Sequence, residues 1–227
     1  MRSWLPEGVS SYSATIDDMF FVILWITGIA FIVTEALLFL FAFRYRRKAG
    51  VRAAYTHGNS ALEVVWTVVP AVLLVFLAFA SRRVWNEIKG SVPPTDETVV
   101  VTAKQFTWEV RYAGADGAFE TADDVVTENE MRLPVGRPTR IRLRSRDVLH
   151  SFFVPQFRLK QDAVPGLTID VWVEPTKTGP YEIACAELCG FGHYNMRGQL
   201  TVLDEGEYRA WLREAEAGVA AAQNPPA

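Results

Sequence analysis

The amino-acid sequence predicts a membrane α-helical hairpin of two transmembrane helices, followed by an all-β domain of the sandwich or barrel kind. Three observations carry that prediction. Two long apolar runs lie before residue 85, and a basic segment separates them. Beyond residue 90, apolar residues alternate in short stretches punctuated by Pro and Gly. The averages hide this division: the 227 residues are 50% hydrophobic and 22% charged, with net charge −3. Such values exclude a disordered chain, a collagen and a nucleic-acid binder that works by bulk positive charge. Two cysteines are too few to staple a mini-protein.

The first apolar run, Met19 to Phe43, is interrupted only by Thr27, Gly28, Thr34 and Glu35. As a helix it spans ~38 Å, enough to cross a bilayer with some tilt. The second, Val64 to Ala80, is broken only by Thr67 and Pro70, and Leu62 and Val84 extend it. Trp66 and Trp85 sit near its ends, where indoles anchor at the interface. The predicted spans are 19–43 and 62–84, inside a hairpin region of residues 1–89. Arg44, Arg46, Arg47, Lys48 and Arg52 fall between the runs, with no acid until Glu63. The positive-inside rule places that loop in the cytoplasm and both termini outside. The N-terminus has no compact apolar stretch with a small-residue cleavage site, so the first run is expected to stay as an anchor.

Residues 90–203 form the expected β domain. Strand candidates are Thr98 to Ala103, Gln105 to Tyr112, Arg140 to Arg144, Thr168 to Val173, Tyr181 to Ala184 and Gln199 to Leu203. In Arg140-Ile141-Arg142-Leu143-Arg144 the alternation is strict, which marks one wet and one buried face. Residues 114–131 are acidic and turn-rich, and read as a solvated hairpin insertion without the spacing of an EF-hand. Residues 204–227 read as a helix to Gly218, opened by Asp204 with Glu207 three residues on, then a disordered tail. From Gly90 onward there are fourteen Lys and Arg against twenty Asp and Glu, a net of −6. An acidic outer domain favours basic partners.

Both cysteines fall in Cys185-Ala186-Glu187-Leu188-Cys189-Gly190-Phe191-Gly192-His193-Tyr194-Asn195-Met196, a Cys-x3-Cys-x3-His-x2-Met spacing. His150, in Asp147-Val148-Leu149-His150-Ser151-Phe152, is the other histidine of this domain. Four readings are open. A Cys185–Cys189 disulfide leaves His193, Met196 and His150 unexplained. Zinc on two Cys and two His has no use for Met196. A mononuclear blue-copper site leaves one cysteine over. A binuclear copper site, with two bridging thiolates and one histidine per ion, uses every donor, and soft sulfur ligands suit Cu(I) and electron transfer.

These segments, with Lys160-Gln161-Asp162-Ala163-Val164-Pro165-Gly166, resemble subunit II of the haem–copper cytochrome c oxidases in order and over nearly the whole chain. The resemblance implies a cupredoxin-like Greek-key fold for the β domain. It implies a binuclear copper centre whose side-chain ligands are His150, Cys185, Cys189, His193 and Met196, with the backbone carbonyl of Glu187. It also implies that the Glu187 carboxylate reaches a magnesium ion shared with subunit I. Glu63 resembles a glutamate near the entrance of a proton path into subunit I. The resemblance further implies that electrons come from a separate donor, a c-type cytochrome, and pass to haem in subunit I, where oxygen is expected to become water and protons to be pumped. The family's two tryptophans correspond to Phe106 and Trp108; the first is the electron-input position, and here it keeps an aromatic face but loses the indole. No Cys-x-x-Cys-His is present, so no c-type haem is expected on this chain. Expected partners are subunit I, the other oxidase subunits, the donor and lipid of a bacterial-type inner membrane, with no nucleic acid.

A thiol oxidoreductase or copper-insertion protein is the rival of another class, but its cysteines lie early, before a helix. A quinol-oxidase subunit lacks the copper ligands retained here. A nitrous-oxide reductase needs a further catalytic domain for which this chain is too short.

Overall fold

The computed structural model describes residues 5–90, 92–95 and 97–223. It divides into a helical unit, residues 15–87, and a second unit that joins residues 1–14 to 88–227. The helices are α1 (Ser13–Arg44) and α2 (Ser60–Lys89). Both run beyond the expected spans, because the polar residues at their ends keep helical backbone outside the hydrocarbon layer, where water or headgroups can solvate them. Along α1 the apolar side chains project in every direction without a polar stripe. The Thr27 and Thr34 hydroxyls donate to the carbonyls of Ile23 (2.8 Å) and Ala30 (2.9 Å), which hides them from lipid. Asn59 caps α2: its Oδ1 accepts from the Ala61 and Leu62 N–H groups at 3.1 and 3.2 Å. Glu63 sits in that first turn, where the helix dipole favours a carboxylate.

Among the described residues, ten strands build the second unit. They are β1 (Glu97–Lys104), β2 (Thr107–Tyr112), β3 (Val125–Glu128), β4 (Glu130–Pro134), β5 (Thr139–Ser145), β6 (His150–Val154), β7 (Leu159–Ala163), β8 (Ile169–Val173), β9 (Gly179–Cys185) and β10 (Arg197–Leu203). One sheet runs β3-β2-β1-β5-β8 and the other β4-β10-β9-β6-β7. The β1–β5 and β10–β4 pairs are parallel; the rest are antiparallel. The alternation read from the sequence is the alternation of burial. Trp108, Val110 and Tyr112 of β2 and Ile141 and Leu143 of β5 face the core, while Arg140, Arg142 and Arg144 face outward.

Some elements differ from expectation. Gln105 and Phe106 form the turn between β1 and β2 rather than the start of a strand. The acidic stretch contributes β3 and the start of β4, because Val125 and Met131 bury their side chains beneath its charged surface. The helix α3 (Glu205–Gln223) continues through Gly218. Tyr208, Trp211, Leu212, Ala215 and Val219 lay one stripe on the core. The alanines beyond, good helix formers, offset the cost of the glycine. The rest of the expected tail, residues 224–227, lies outside the described residues.

The segment before α1 is tied to the β domain. Val9 N–H donates to Gln156 O, Thr176 N–H to Val9 O, and Ser11 N–H to Glu174 O, at 2.8, 2.9 and 3.0 Å. The Ser10 hydroxyl donates to Phe157 O at 2.8 Å.

The two faces of β5 give a direct stability test. Leu143 is fully buried, so Leu143→Ala is expected to cost about 2–5 kcal/mol. Arg142 only pairs with Asp170 at 3.6 Å near the surface, so Arg142→Ala is expected to cost under about 1 kcal/mol. Denaturant midpoints of the two variants measure the contrast.

Candidate metal centre

The centre forms where β6 lies beside β9. Phe152 pairs with Cys185 across these strands, so His150, two residues earlier, is brought to the same end of the sheet. The Cys185 N–H donates to Met196 O at 3.1 Å and closes the connection between β9 and β10 into a loop. The Ala186 N–H donates to Ser151 O at 3.0 Å and pins that loop to β6. One turn of 3-10 helix (His193–Asn195) then sets His193 and Met196 on its inner side.

Both cysteines are free, and their Sγ atoms are 3.8 Å apart. His150 Nδ1 lies 3.9 Å from Cys185 Sγ, and His193 Nδ1 lies 3.7 Å from Cys189 Sγ. Met196 Sδ is 3.8 Å from Cys189 Sγ, and the Glu187 carbonyl oxygen is 3.2 Å from Cys185 Sγ. The donor atoms of His150, Cys185 and Cys189 all fall within 4.8 Å of one another. All six donors named from the sequence therefore converge. At a metal–sulfur distance of about 2.3 Å, thiolates this close can share an ion, so the donor set fits soft metal.

His150 is fully buried and its tautomer is set by Asp147. The carboxylate accepts from His150 Nε2 at 2.8 Å, which leaves Nδ1 bare toward the cysteines. Burial pushes the Asp147 carboxyl up, but hydrogen bonds from His150, the Gln105 N–H and the Val148 N–H outweigh it and hold it below the usual carboxylate range. Burial, and next the Cys185 thiol, push the Cys189 thiol up to about 11. Without metal this sulfur is protonated near neutral pH.

Trp108 sits in the core, edge-on to Phe152 at 5.5 Å and 6.3 Å from the His150 ring. Phe106 is half-buried against the backbone of Gly190 and Gly192. Glu187 is half-buried on the metal loop, and Leu188, Phe191 and Tyr194 are exposed there, Phe191 at 95%. Glu63 belongs to the helical unit. The ligand-orienting role of Asp147 and the contacts of Gln105 were missed in the sequence. A carboxylate three residues before a metal-binding histidine was the available signal for the first.

Two family descriptions match the chain: "Cytochrome C oxidase subunit II, periplasmic domain" over residues 98–202, and "Cytochrome C oxidase subunit II, transmembrane domain" over residues 4–84. The chain belongs to the cytochrome c oxidase subunit II family. Its relatives include an alternative cytochrome c oxidase subunit 2 of Bradyrhizobium diazoefficiens, 36% identical over 93% of this chain and 83% of the relative. A cytochrome c oxidase subunit 2 of Thermostichus vulcanus is 31% identical over 94% of this chain and 79% of the relative. The crystal structure of the periplasmic domain of subunit II of cytochrome oxidase of Bradyrhizobium japonicum aligns with a TM-score of 0.50 at 28% identity, covering 57% of this chain and 99% of that one. As a family member, the protein is a subunit of a membrane-bound oxidoreductase complex, on the side where electrons enter. It has two membrane-spanning helices and a periplasmic β-sandwich domain. Family and donor set agree on copper.

The raised Cys189 thiol has a measurable consequence. Alkylation of Cys189 by iodoacetamide in the metal-free chain is expected to climb about tenfold per pH unit between about pH 8 and pH 10, and to level near the thiol's own pKa. Peptide mass spectrometry of the modified chain measures it, and a rate that plateaus near pH 8 contradicts the assignment.

Proposed function

We propose that the chain holds two copper ions in one binuclear centre and is the electron-input point of a proton-pumping terminal oxidase. The ligands are His150, Cys185, Cys189, His193, Met196 and the Glu187 carbonyl. The observation that carries the proposal is two free sulfurs 3.8 Å apart with a histidine Nδ1 beside each. A mononuclear site needs only one such sulfur, and a single tetrahedral zinc has no place for Met196 Sδ or the Glu187 oxygen.

Copper held by these donors would supply a one-electron redox couple. The chain's own residues supply the rest. Asp147 fixes the His150 ring, the β9–β10 loop holds the sulfurs apart, and the buried Met196 keeps water from one side. Donors held in place by packing need little rearrangement when an electron arrives or leaves.

The donor is a c-type cytochrome or a similar basic electron carrier, drawn by the −6 charge of the outer residues. Phe106 and Trp108 mark the electron-input region: one rests on the metal loop and the other on His150. Electrons leave to haem in subunit I. The Glu187 carboxylate contributes to a magnesium site at that contact, and Glu63 stands at the entrance of a proton path. Both chain termini face the periplasm. The hydrogen bonds of residues 9–11 to the β domain support this for the N-terminal segment, since they make that segment part of the domain.

Copper analysis tests the proposal. The purified full chain is expected to carry two copper ions, and Cys189→Ser to lose at least one of them. One copper per chain in the parent protein contradicts the binuclear assignment.

A further inference from the structure

The turn between β1 and β2 reaches both halves of the metal centre. Gln105 uses two donors to do so. Its backbone N–H donates to Asp147 Oδ2 at 2.7 Å, and Asp147 Oδ1 accepts from His150 Nε2 at 2.8 Å. Its side-chain Nε2 donates to the Cys189 carbonyl at 2.6 Å. One residue thus holds the carboxylate that orients one histidine and the backbone that carries one cysteine.

Phe106 closes over the same loop. A Cβ at Gly192 would lie 2.5 Å from the Phe106 ring, and a Cβ at Gly190 would lie 2.7 Å from Gln105 Nε2. Gly190 also has φ +129°, a conformation that side chains disfavour. The glycines on either side of Phe191 are therefore what let the turn approach. The loop's own backbone adds three hydrogen bonds beyond Gly190. Its internal bonds, His193 N–H to Gly190 O, Asn195 N–H to Gly192 O and Met196 N–H to His193 O, span 3.0 to 3.2 Å and all lie within the segment.

We infer that Gln105 is a positioning residue, which clasps the Cys189–His193 loop to the Asp147–His150 pair, with the Phe106 ring seated on the glycines as its latch. The inference rests on the function proposed above for its metal, but the clasp itself is a property of the chain. Electron input through this turn and geometric control of the centre then reside in adjacent residues. Gln105 is exposed and contributes nothing to the core, so its replacement leaves the sandwich intact.

The test compares Gln105→Met, which keeps the length but has no donor, with Gln105→Lys, which can still donate to the Cys189 carbonyl. In the metal-free full chain, amide hydrogen exchange at His193, Asn195 and Met196 is expected to be about tenfold faster in Gln105→Met, with Val101 and Leu143 unchanged. In the copper-loaded chain, loss of Cu(I) to bathocuproine disulfonate is expected to be about tenfold faster, the low end of what removing such supporting contacts costs. Gln105→Lys is expected to return both rates toward those of the parent. Unchanged exchange in Gln105→Met overturns the clasp, as do equal rates in the Met and Lys variants. A parent chain that binds no copper overturns the function instead, and the exchange rates still decide the clasp.

Discussion

Two thiols kept 3.8 Å apart and unjoined are the constraint on which the rest of the domain depends. Neighbouring thiols in an oxidising compartment tend toward a disulfide. Here their separation is set by backbone. The Cys185 N–H bond to Met196 O closes the loop, the Ala186 N–H bond to Ser151 O fixes it to β6, and the 3-10 turn before Met196 spaces the donors. Each of those bonds requires β9 between β6 and β10, so the order of strands in the second sheet is also the order that assembles the donors.

The same logic explains why the domain is a sandwich rather than a helical bundle. Copper chemistry with little rearrangement needs donors on a support that does not shift, and two sheets sharing one core of Trp108, Phe152, Leu143 and Leu200 provide it. The hairpin answers a different demand. Its first helix has no polar stripe, and both helices tuck threonine hydroxyls against their own carbonyls, which suits lipid and the apolar faces of other membrane helices. In the segment before α1, Val9 and Ser11 bond to the domain's own backbone at Gln156, Glu174 and Thr176, so these residues belong to the sandwich.

Much of this was legible in the sequence, for physical reasons. Arg140 to Arg144 alternates because one face is wet and one is buried, and β5 shows that alternation residue by residue. The apolar runs were legible because a lipid-facing helix admits few polar side chains, and the threonines that do interrupt them satisfy their hydroxyls on their own helix. The strands β6 and β7 were not. In β6, His150, Ser151, Phe152 and Val154 are all buried, so no period of two is left to read. β3 was hidden by the acids around it, although Val125 faces the core. Of the centre, the soft donors announced themselves by residue type. Asp147 and Gln105 did not, since an aspartate and a glutamine in loops look like solvated polar residues until their partners are known. The full extent of α3 was not legible, because a glycine reads as a stop signal, whereas tertiary packing of Ala215 and Val219 carries the helix past it.

Two copper ions held as proposed would share one unpaired electron through these thiolates. Electron paramagnetic resonance of the oxidised, copper-loaded full chain tests this most directly. An unpaired electron divided equally between two copper nuclei gives a seven-line hyperfine pattern, which is the result this account predicts. A four-line pattern from a single copper would contradict it.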